Sequence, residues 1–421
     1  MNSTYHSRYI EAKALRHASN FSVLLVLGAR QSGKSTLLGH LFGAGATRHT
    51  FDPLTDVGNA RQDPDFFLDQ NPAPLILDEI QYVPELIAAI KRRVDRDPAP
   101  GQYFLTGSQN PALLKSIGES LAGRVMVLDM HPMVLAEVKG LAEPDRACWL
   151  DTLLDAGPQT PDLAAFERLP REAAADTLFR RVWRGGYPRL LGFQDADVSD
   201  IFSSYFQTYV ERDIRVLLDV RDEQQFGRFV ALCAALTAQE INHAQLGREV
   251  GVTPQTADRW LAALRATYQW IEVPGYHGNT VKRVIGRGKG YFTDAGLAAW
   301  FQRISSPAAL SGSPALGALF ETYVAMSLAA RLRTLPAVPP RLYHWRTRAG
   351  AEVDLLLERD GCFWPVEIKS AARVTTADTR GICAFRETYP HLRHGPGIVL
   401  AAVELPRRLP NNCLVLPYDL L

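Results

Sequence analysis

The sequence predicts an α/β protein that begins with a parallel β-sheet, and three observations support this fold class. Short apolar runs with the length of buried strands recur through residues 21–128. Segments of helical character separate them, an alternation typical of parallel strands joined by crossover helices. The first run ends in a glycine-containing turn that opens a helix. At 421 residues the chain is too long for one ordinary core, so we expect two to three domains.

The predicted strands of the sheet are residues 21–28, 75–77, 103–105 and 125–128. Shifts in composition then divide the chain into four parts. They are the sheet-containing core (1–140), a helical lid and linker (141–230), a helix-turn-helix region with a basic hairpin (231–305) and a small α/β unit (306–421).

The overall charge is almost balanced, with 46 Lys and Arg against 45 Asp and Glu. A formal net charge of +1 gives no general attraction to nucleic acid, so any polyanion site must be a local patch. Hydrophobic residues at 47% and charged residues at 22% are typical of a folded chain and exclude an intrinsically disordered one.

The cellular compartment is predicted from the apolar segments and the cysteines. The first 20 residues hold no signal-like apolar stretch, and no later run approaches the roughly 18 apolar residues of a membrane span. The five cysteines are scattered and form no Cys-x-x-Cys pair, which suits a reducing compartment. We therefore expect a cytoplasmic protein with no membrane partner.

Residues 28–35 match the pattern Gly-x4-Gly-Lys-[Ser/Thr] between a predicted strand and a predicted helix. The two glycines let the backbone wrap around a β-phosphate, where successive N–H groups and the helix N-terminus meet negative charge. Lys34 would contact β- and γ-phosphate oxygens, and the Ser35 hydroxyl would bind Mg²⁺. The expected nucleotide-binding residues are Gly28, Ala29, Arg30, Gln31, Ser32, Gly33, Lys34, Ser35 and Thr36.

A partner motif follows at the end of the next apolar run, where Asp78 and Glu79 succeed Leu77. Asp78 would hold the Mg²⁺ ion, and Glu79 would polarise the attacking water as general base. An Asp-Glu pair alone is often a solvated strand end. Together with the phosphate loop, it predicts binding of ATP or GTP with Mg²⁺, followed by hydrolysis.

The segments GARQSGKSTL, LILDEIQ, YFLTGSQN and SLAGRV resemble the bacterial and archaeal AAA-type ATPases that carry a conserved C-terminal domain of unassigned function. RGGYP at 184–188 and YVERDIR at 209–215 resemble that C-terminal region, so the resemblance covers nearly the whole chain. It implies ATP as the nucleotide and Ser108 or Gln109 as a sensor of the γ-phosphate or the water.

The same resemblance implies that Arg124 is an arginine finger donated to a neighbouring subunit, and hence a ring, as a hexamer. The alternative is a surface cation near the start of a strand. The lid departs from the family pattern, because none of its arginines at 180, 181, 184 and 189 lies in a recognisable second-sensor motif.

Residues 241–264 have the spacing of a helix-turn-helix. Leu246 and Val250 would face a core, Gly251 would make the turn, and Thr253 would cap a second helix that Pro254 opens. The second helix has an apolar stripe, which consists of Ala257, Trp260, Leu261 and Leu264. The side chains left for a DNA major groove are Gln255, Thr256 and Arg259.

A basic hairpin follows, as in a winged helix, and its cations would lie along DNA phosphates. They are Lys282, Arg283, Arg287 and Lys289. The alternative is a protein-interaction module, which the acidic Glu249 and Asp258 favour.

In the C-terminal unit, Asp360-Gly361 between two apolar runs predicts a two-residue hairpin. That turn places Asp354 opposite Glu367, with Lys369 on the same face. This spacing resembles the restriction-endonuclease core, D…ExK, in which two carboxylates bind Mg²⁺ and the lysine activates water. Glu321, on the preceding helix, matches the upstream acid of that core. The alternatives are a decayed nuclease fold and a plain hairpin in which Lys369 pairs with Glu352.

These features predict a DNA-associated ATPase that remodels or translocates on branched or broken DNA, with or without strand cleavage. The alternative is a nucleotide switch whose C-terminal domains bind a protein or DNA without cutting it. A third hypothesis is a toxin–antitoxin or phage-defence component.

Overall fold

In the computed structural model, the residues described are 5–51, 57–107, 117–118, 121–142, 148–169, 171, 175–209, 214, 223–278, 287–335 and 338–420. The first part contains a parallel sheet of order β2-β3-β4-β1-β5. Its strands are β1 (Val23–Gly28), β2 (Thr47–Thr50), β3 (Leu75–Asp78), β4 (Tyr103–Gly107) and β5 (Val125–Met130). The predicted parallel α/β sheet is therefore confirmed. The four apolar strands were predicted, whereas β2, with the polar sequence TRHT at the edge of the sheet, was not.

Helices cover both faces of this sheet. They are α1 (Ile10–Ala18), α2 (Lys34–Phe42), α3 (Val57–Gln62), α4 (Pro64–Gln70) and α5 (Glu85–Arg96). Successive β1 residues alternate between the two faces, so that Leu25 packs with α5 and Leu24 packs with α1 and α2. A strand buried on both faces must be apolar throughout, which explains the uninterrupted run VLLVLG.

A helical region follows the sheet. Its helices are α6 (Leu135–Val138), α7 (Trp149–Ala156), α8 (Leu163–Glu167), α9 (Ala175–Arg184) and α10 (Val198–Tyr209). Between α9 and α10, a short 3₁₀ helix at Pro188–Gly192 lies against the phosphate loop, because Pro188 Cγ is 3.6 Å from the position that a Cβ on Gly33 would take.

The next unit consists of α11 (Glu223–Ala235), β6 (Gln239–Glu240), α12 (His243–Val250), α13 (Pro254–Ala266), β7 (Trp270–Val273) and β8 (Lys289–Phe292). The three strands form an antiparallel sheet of order β6-β8-β7. Gly251 ends α12 with φ 78°, and Thr253 caps α13 by accepting a hydrogen bond from Thr256 N. The boundary expected at 230/231 falls inside α11.

The C-terminal unit begins with α14 (Ala295–Phe301), α15 (Pro307–Ser311) and the long α16 (Leu316–Thr334). A seven-stranded mixed sheet and one helix follow. They are β9 (Arg341–Arg346), β10 (Glu352–Arg359), β11 (Cys362–Lys369), α17 (Arg380–Thr388), β12 (Arg393–His394), β13 (Gly397–Ala401), β14 (Arg407–Leu409) and β15 (Cys413–Pro417). The β10–β11 hairpin pairs Leu355 with Val366, which is the register predicted from the Asp360-Gly361 turn.

One continuous apolar cluster runs from Leu135 to Leu420. It includes residues of the helical region, the three-stranded unit and the C-terminal sheet, so these parts share a core and are packed against one another. Within the described part of the chain, none of the helices is both long and apolar enough to cross a membrane.

Candidate functional site

The phosphate loop leaves the C-terminal end of β1 and is shaped by two glycines. A Cβ on Gly28 would lie 2.3 Å from the carbonyl oxygen of Met130 on the neighbouring strand, so only glycine fits there. Gly33 has φ 96° and immediately precedes α2, whose first N–H groups therefore point towards the loop. Both glycines predicted to form a phosphate cradle thus have conformations or surroundings that require glycine.

Lys34 is buried at 4% exposure, and its ammonium donates to the carbonyl oxygens of Gly28 at 3.1 Å and Ala29 at 2.9 Å. Next to it, the Ser35 hydroxyl donates to Asp78 Oδ1 at 2.6 Å, which joins the phosphate loop to the end of β3. The two motifs, 43 residues apart in sequence, therefore meet as predicted.

Asp78 is held ionised by its neighbours. Burial alone would raise its pKa, but hydrogen bonds from Ser35, Thr106 and Arg48 outweigh burial and bring the pKa below its usual range. Arg48 Nη2 lies 2.8 Å from Asp78 Oδ2. Thr106 and Arg48 were missed by sequence reasoning. Thr106 ends a predicted strand and could have been found, whereas Arg48 lies on the unrecognised strand β2.

Glu79 follows directly and has a left-handed backbone, with φ 60°, which is uncommon for a residue other than glycine. Its N–H donates to Thr106 Oγ1 at 3.0 Å, and its carboxylate accepts a hydrogen bond from Gln81. Backbone strain of this kind persists only where surrounding contacts impose it and is enriched at functional sites. These contacts hold Glu79 at the carboxyl ends of β3 and β4, beside the Ser35–Asp78 pair.

The remaining predicted loop residues differ in their surroundings. Ser32 is fully buried and donates to Ala29 O, Arg30 donates to the Tyr82 hydroxyl, and Gln31 has φ 58°. Thr36 is exposed on α2. The donor set fits a nucleoside triphosphate with Mg²⁺, because loop N–H groups and a buried lysine suit phosphate, and hydroxyl and carboxylate oxygens suit Mg²⁺.

Arg124 immediately precedes β5, at the amino ends of the parallel strands, whereas the phosphate loop lies at their carboxyl ends, after β1. Its half-exposed side chain forms an ion pair with Asp95. The six-residue length of β5 puts Arg124 about 20 Å from its own phosphate loop. The other predicted catalytic residues of this region, Ser108 and Gln109, lie outside the described residues. In the lid, Arg180 and Arg184 both pair with Asp195.

On α13, Gln255 and Arg259 are exposed and Thr256 is half-buried. Asp258, on the same face, binds His243 Nδ1 at 2.5 Å. Of the predicted hairpin cations, Lys282 and Arg283 lie outside the described residues, and Arg287 is exposed.

Lys289 differs from the other hairpin cations, and the prediction that it contacts DNA phosphates is wrong. It is only 2% exposed, and its ammonium lies among three carboxylates of the C-terminal unit. The distances are 2.6 Å to Glu321 Oε1, 2.8 Å to Glu352 Oε1 and 3.4 Å to Asp354 Oδ1. A run of basic residues predicts one solvated surface, but β8 turns Lys289 inward.

The predicted D…ExK residues do come together. Lys369 lies 2.9 Å from Glu367 Oε2 and 3.8 Å from Asp354 Oδ2, while the Ile368 N–H donates to the same Asp354 oxygen. The alternative pair of Lys369 with Glu352 is not formed, since Glu352 binds Lys289 instead. We call Glu321, Glu352, Asp354 and Glu367 with Lys289 and Lys369 the carboxylate cluster.

Several groups of the carboxylate cluster have shifted pKa values. Burial and the charge of Asp354 raise the pKa of Glu321 to about 7, although Lys289 opposes them. Burial, together with Asp354, also raises the pKa of Glu367. Burial opposes the charge on Lys289, but the three carboxylates outweigh it and raise its pKa. Among the described residues, no group of three or more His, Cys, Asp or Glu side chains is arranged to hold a metal ion. Of the predicted ligands, Glu321 and Asp354 pair with Lys289, whereas Glu367 pairs with Lys369.

Comparison with known proteins agrees with the geometry of the phosphate site. A family model described as "AAA domain" matches residues 20–139. Two models described as domains of unknown function, DUF8612 and DUF4143, match residues 175–308 and 316–421. With the parallel sheet, the phosphate loop and the Ser35–Asp78 contact, this match identifies residues 20–139 as a P-loop domain of the AAA type.

Uncharacterized proteins of Mycobacterium tuberculosis and Mycobacterium bovis are each 31% identical over 359 residues, which cover 85% of this chain and 72% of theirs. The chain belongs to the family of these mycobacterial proteins. Among solved structures, the Walker-type ATPase of Pyrococcus abyssi is 13% identical with a TM-score of 0.43, covering 70% of this chain and 96% of its own. The Holliday junction branch migration motor RuvB of Thermotoga maritima is 18% identical with a TM-score of 0.29, and the match covers 63% of this chain and 86% of RuvB.

Proposed function

We propose that this protein hydrolyses ATP at the Lys34–Ser35–Asp78–Glu79 site and couples turnover to the binding of DNA without cutting it. The observation that carries the ATP half is the Ser35–Asp78 hydrogen bond, which unites the phosphate loop with the acidic end of β3. Lys34 would turn from the Gly28 and Ala29 carbonyls to the phosphates. Mg²⁺, when bound with ATP, supplies charge neutralisation at the phosphate oxygens.

Glu79 is the proposed general base. Its carboxylate lies at the strand ends next to Asp78, and its backbone is fixed by Thr106. It would accept the proton of the attacking water, while Ser35 and Asp78 hold the metal and the loop N–H groups bind the β-phosphate. Ser108 or Gln109 remains the proposed sensor.

The DNA half of the proposal is supported by the order α11-β6-α12-α13-β7-β8, which matches the order expected for a winged helix. Gln255 and Arg259 on α13 are exposed, and the segment between β7 and β8 carries Lys282, Arg283 and Arg287. A helix face of this kind suits a major groove, and long basic side chains suit phosphates.

Cleavage is not proposed, although the order α16-β9-β10-β11-α17, followed by the short β12 and by β13, is similar to the order expected for a restriction-endonuclease-like core. Lys289, which is not part of the D…ExK pattern, forms ion pairs with Glu321 and Asp354, two of the carboxylates that would bind a metal in a nuclease. This observation favours the hypothesis that the C-terminal unit binds without cutting. The nucleotide switch is the second candidate. Lys289 on β8 forms ion pairs with the C-terminal unit, so a conformational change in one of these parts would be transmitted to the other.

ATP turnover with and without duplex, single-stranded and four-way DNA tests the coupling. Replacing Lys282, Arg283 and Arg287 by alanine, with Lys289 retained, should weaken DNA binding regardless of sequence. The slope of log affinity against log salt should fall by about 0.9 for each phosphate that the variant no longer neutralises. The matched control replaces the exposed Arg16, Arg96 and Arg168, which removes the same charge elsewhere. If the slope of log affinity against log salt decreases equally in both triple variants, the hairpin has no specific role in DNA binding.

We also propose that the active form is a ring, a hexamer, in which Arg124 serves the neighbouring subunit. Its half-exposed position, remote from its own phosphate loop, supports a role in trans. Arg124→Ala should bind ATP normally yet hydrolyse it slowly. Mixing it with Glu79→Gln protein should restore turnover, because some interfaces then combine an intact base with an intact finger. Turnover that stays at the sum of the two separate variants after subunit exchange would contradict the role in trans.

A further inference from the structure

Arg8 is a buried cation that joins three segments around the phosphate loop. It is 6% exposed and precedes α1. Its Nη1 donates to the Ser32 carbonyl at 2.9 Å, and its Nη2 donates to the His131 carbonyl at 2.7 Å. Its Nε lies 3.0 Å from Glu137 Oε2 in an ion pair. The phosphate loop, the end of β5 and helix α6 are therefore connected through one guanidinium.

The guanidinium is itself held in place. Glu137, which is 5% exposed, also accepts hydrogen bonds from Tyr9 N at 2.9 Å and Val134 N at 3.0 Å. The planar fork of arginine can bind several acceptors in fixed directions, which a lysine cannot reproduce. Arg8 is thus a rigid donor aimed at the carbonyl of a loop residue.

The contact with Ser32 fixes the direction of the next N–H group. In a trans peptide, the carbonyl of Ser32 and the N–H of Gly33 point in opposite directions. Because Arg8 binds the carbonyl, the Gly33 N–H is turned away from the Arg8 guanidinium. Gly33, with φ 96°, lacks the side-chain constraint that would otherwise restrict rotation of this peptide.

We propose that Arg8 is a positioning residue, which keeps the Ser32–Gly33 peptide oriented so that the Gly33 N–H donates to the β-phosphate; this role rests on the ATP binding proposed above. No motif in the sequence indicates this role, since Arg8 lies 24 residues before Ser32 and outside the matched AAA domain. Lys34 contacts carbonyls at the other end of the loop, so Arg8 and Lys34 act on different peptides.

The test compares two variants in the full-length protein. Arg8→Gln/Glu137→Gln removes the guanidinium without leaving a buried charge unpaired. Glu137→Gln alone removes the ion pair but leaves Arg8 bonded to both carbonyls. Binding of ATP, ADP and AMP is measured by calorimetry without Mg²⁺, and the melting temperature of each free protein is recorded. We expect the double variant to bind ATP and ADP about tenfold more weakly, the loss of one charge-assisted hydrogen bond. Glu137→Gln should stay within about twofold of wild type.

AMP provides the discriminating readout, because it has no β-phosphate to place against Gly33. Its affinity should be the same in the wild type and both variants. A loss of affinity that is equal for AMP and ADP, or equal in the two variants, would show a merely structural role and overturn the proposal. If the double variant does not fold, Arg8→Lys replaces it. Its affinity for ATP and ADP should be lower than that of the wild type, by less than the tenfold expected for the double variant. Wild-type ADP affinity in Arg8→Lys would then overturn the proposal.

Discussion

Lys34→Ala should lose tight ATP binding, with an affinity at least about 100-fold below that of the wild type. The reason is that Lys34 is the buried cation of the phosphate loop, and its ammonium already lies within hydrogen-bond distance of the loop carbonyls. Alanine removes the charge that would meet the β- and γ-phosphates and leaves the loop glycines intact. Calorimetric titration with ATP measures the effect.

The control for Lys34→Ala is Lys91→Ala on α5, which removes a lysine from a helix at the other side of the sheet and should leave ATP affinity unchanged. Melting of the free Lys34→Ala protein must resemble that of the wild type, so that the loss is one of binding. Tight ATP binding by folded Lys34→Ala protein would contradict the assignment of the phosphate loop.

Lys289→Met should produce the largest loss of stability among the predicted changes. Lys289 is buried and neutralises Glu321, Glu352 and Asp354, so its replacement leaves three carboxylates without their shared cation. Breaking a buried ion pair by removing one partner costs about 3–5 kcal/mol. The C-terminal unit and the three-stranded unit should both loosen, because β8 supplies the lysine and α16 and β10 supply the acids.

The loss of stability caused by Lys289→Met should increase as the pH rises. The folded-state pKa of Glu321 is raised to about 7 from an ordinary 4.5, so the stability given by its protonated form is lost as pH rises through that window. Without Lys289 the pKa of Glu321 rises further, and the loss continues above neutrality. Melting temperatures of wild type and variant should therefore differ more at about pH 8.5 than at about pH 6.

Lys369→Met is the matched control within the carboxylate cluster. Lys369 is about one-third exposed, so water compensates for its loss better and the destabilisation should be smaller. Equal melting of Lys289→Met and wild type at both pH values would mean that the lysine does not neutralise the carboxylate cluster. Stabilisation of the wild type by Mn²⁺ that disappears in Asp354→Asn would return the metal-site hypothesis to favour.

Much of the nucleotide site could be predicted because its chemistry is local. Gly28, Gly33, Lys34 and Ser35 lie within one short loop. The shape of this loop depends on its glycines, which can be read from the sequence. Asp78 follows a strand that is apolar enough to recognise. The β10–β11 register was also predictable, since a two-residue turn at Asp360-Gly361 fixes every cross-strand pair.

The contacts that escaped prediction come from distant parts of the chain. Arg48 lies on a strand with no apolar signal, and Arg8 reaches a loop 24 residues away. Lys289 looked like a surface cation because its neighbours in sequence are basic and glycine-rich. Its burial depends on carboxylates 32 to 65 residues further along the chain, a tertiary arrangement that local pattern does not encode. A basic run thus predicts charge but not which of its members faces water.

The most direct test of ATP hydrolysis at this site is ATP turnover by Glu79→Gln protein, measured beside its affinity for ATP. The amide cannot accept the proton of the attacking water, whereas Lys34, Ser35 and Asp78 remain in place. We predict wild-type ATP affinity with turnover reduced by about 10²- to 10⁴-fold, the usual contribution of a general base. Turnover equal to that of the wild type in the Glu79→Gln protein would contradict the role of Glu79 as general base.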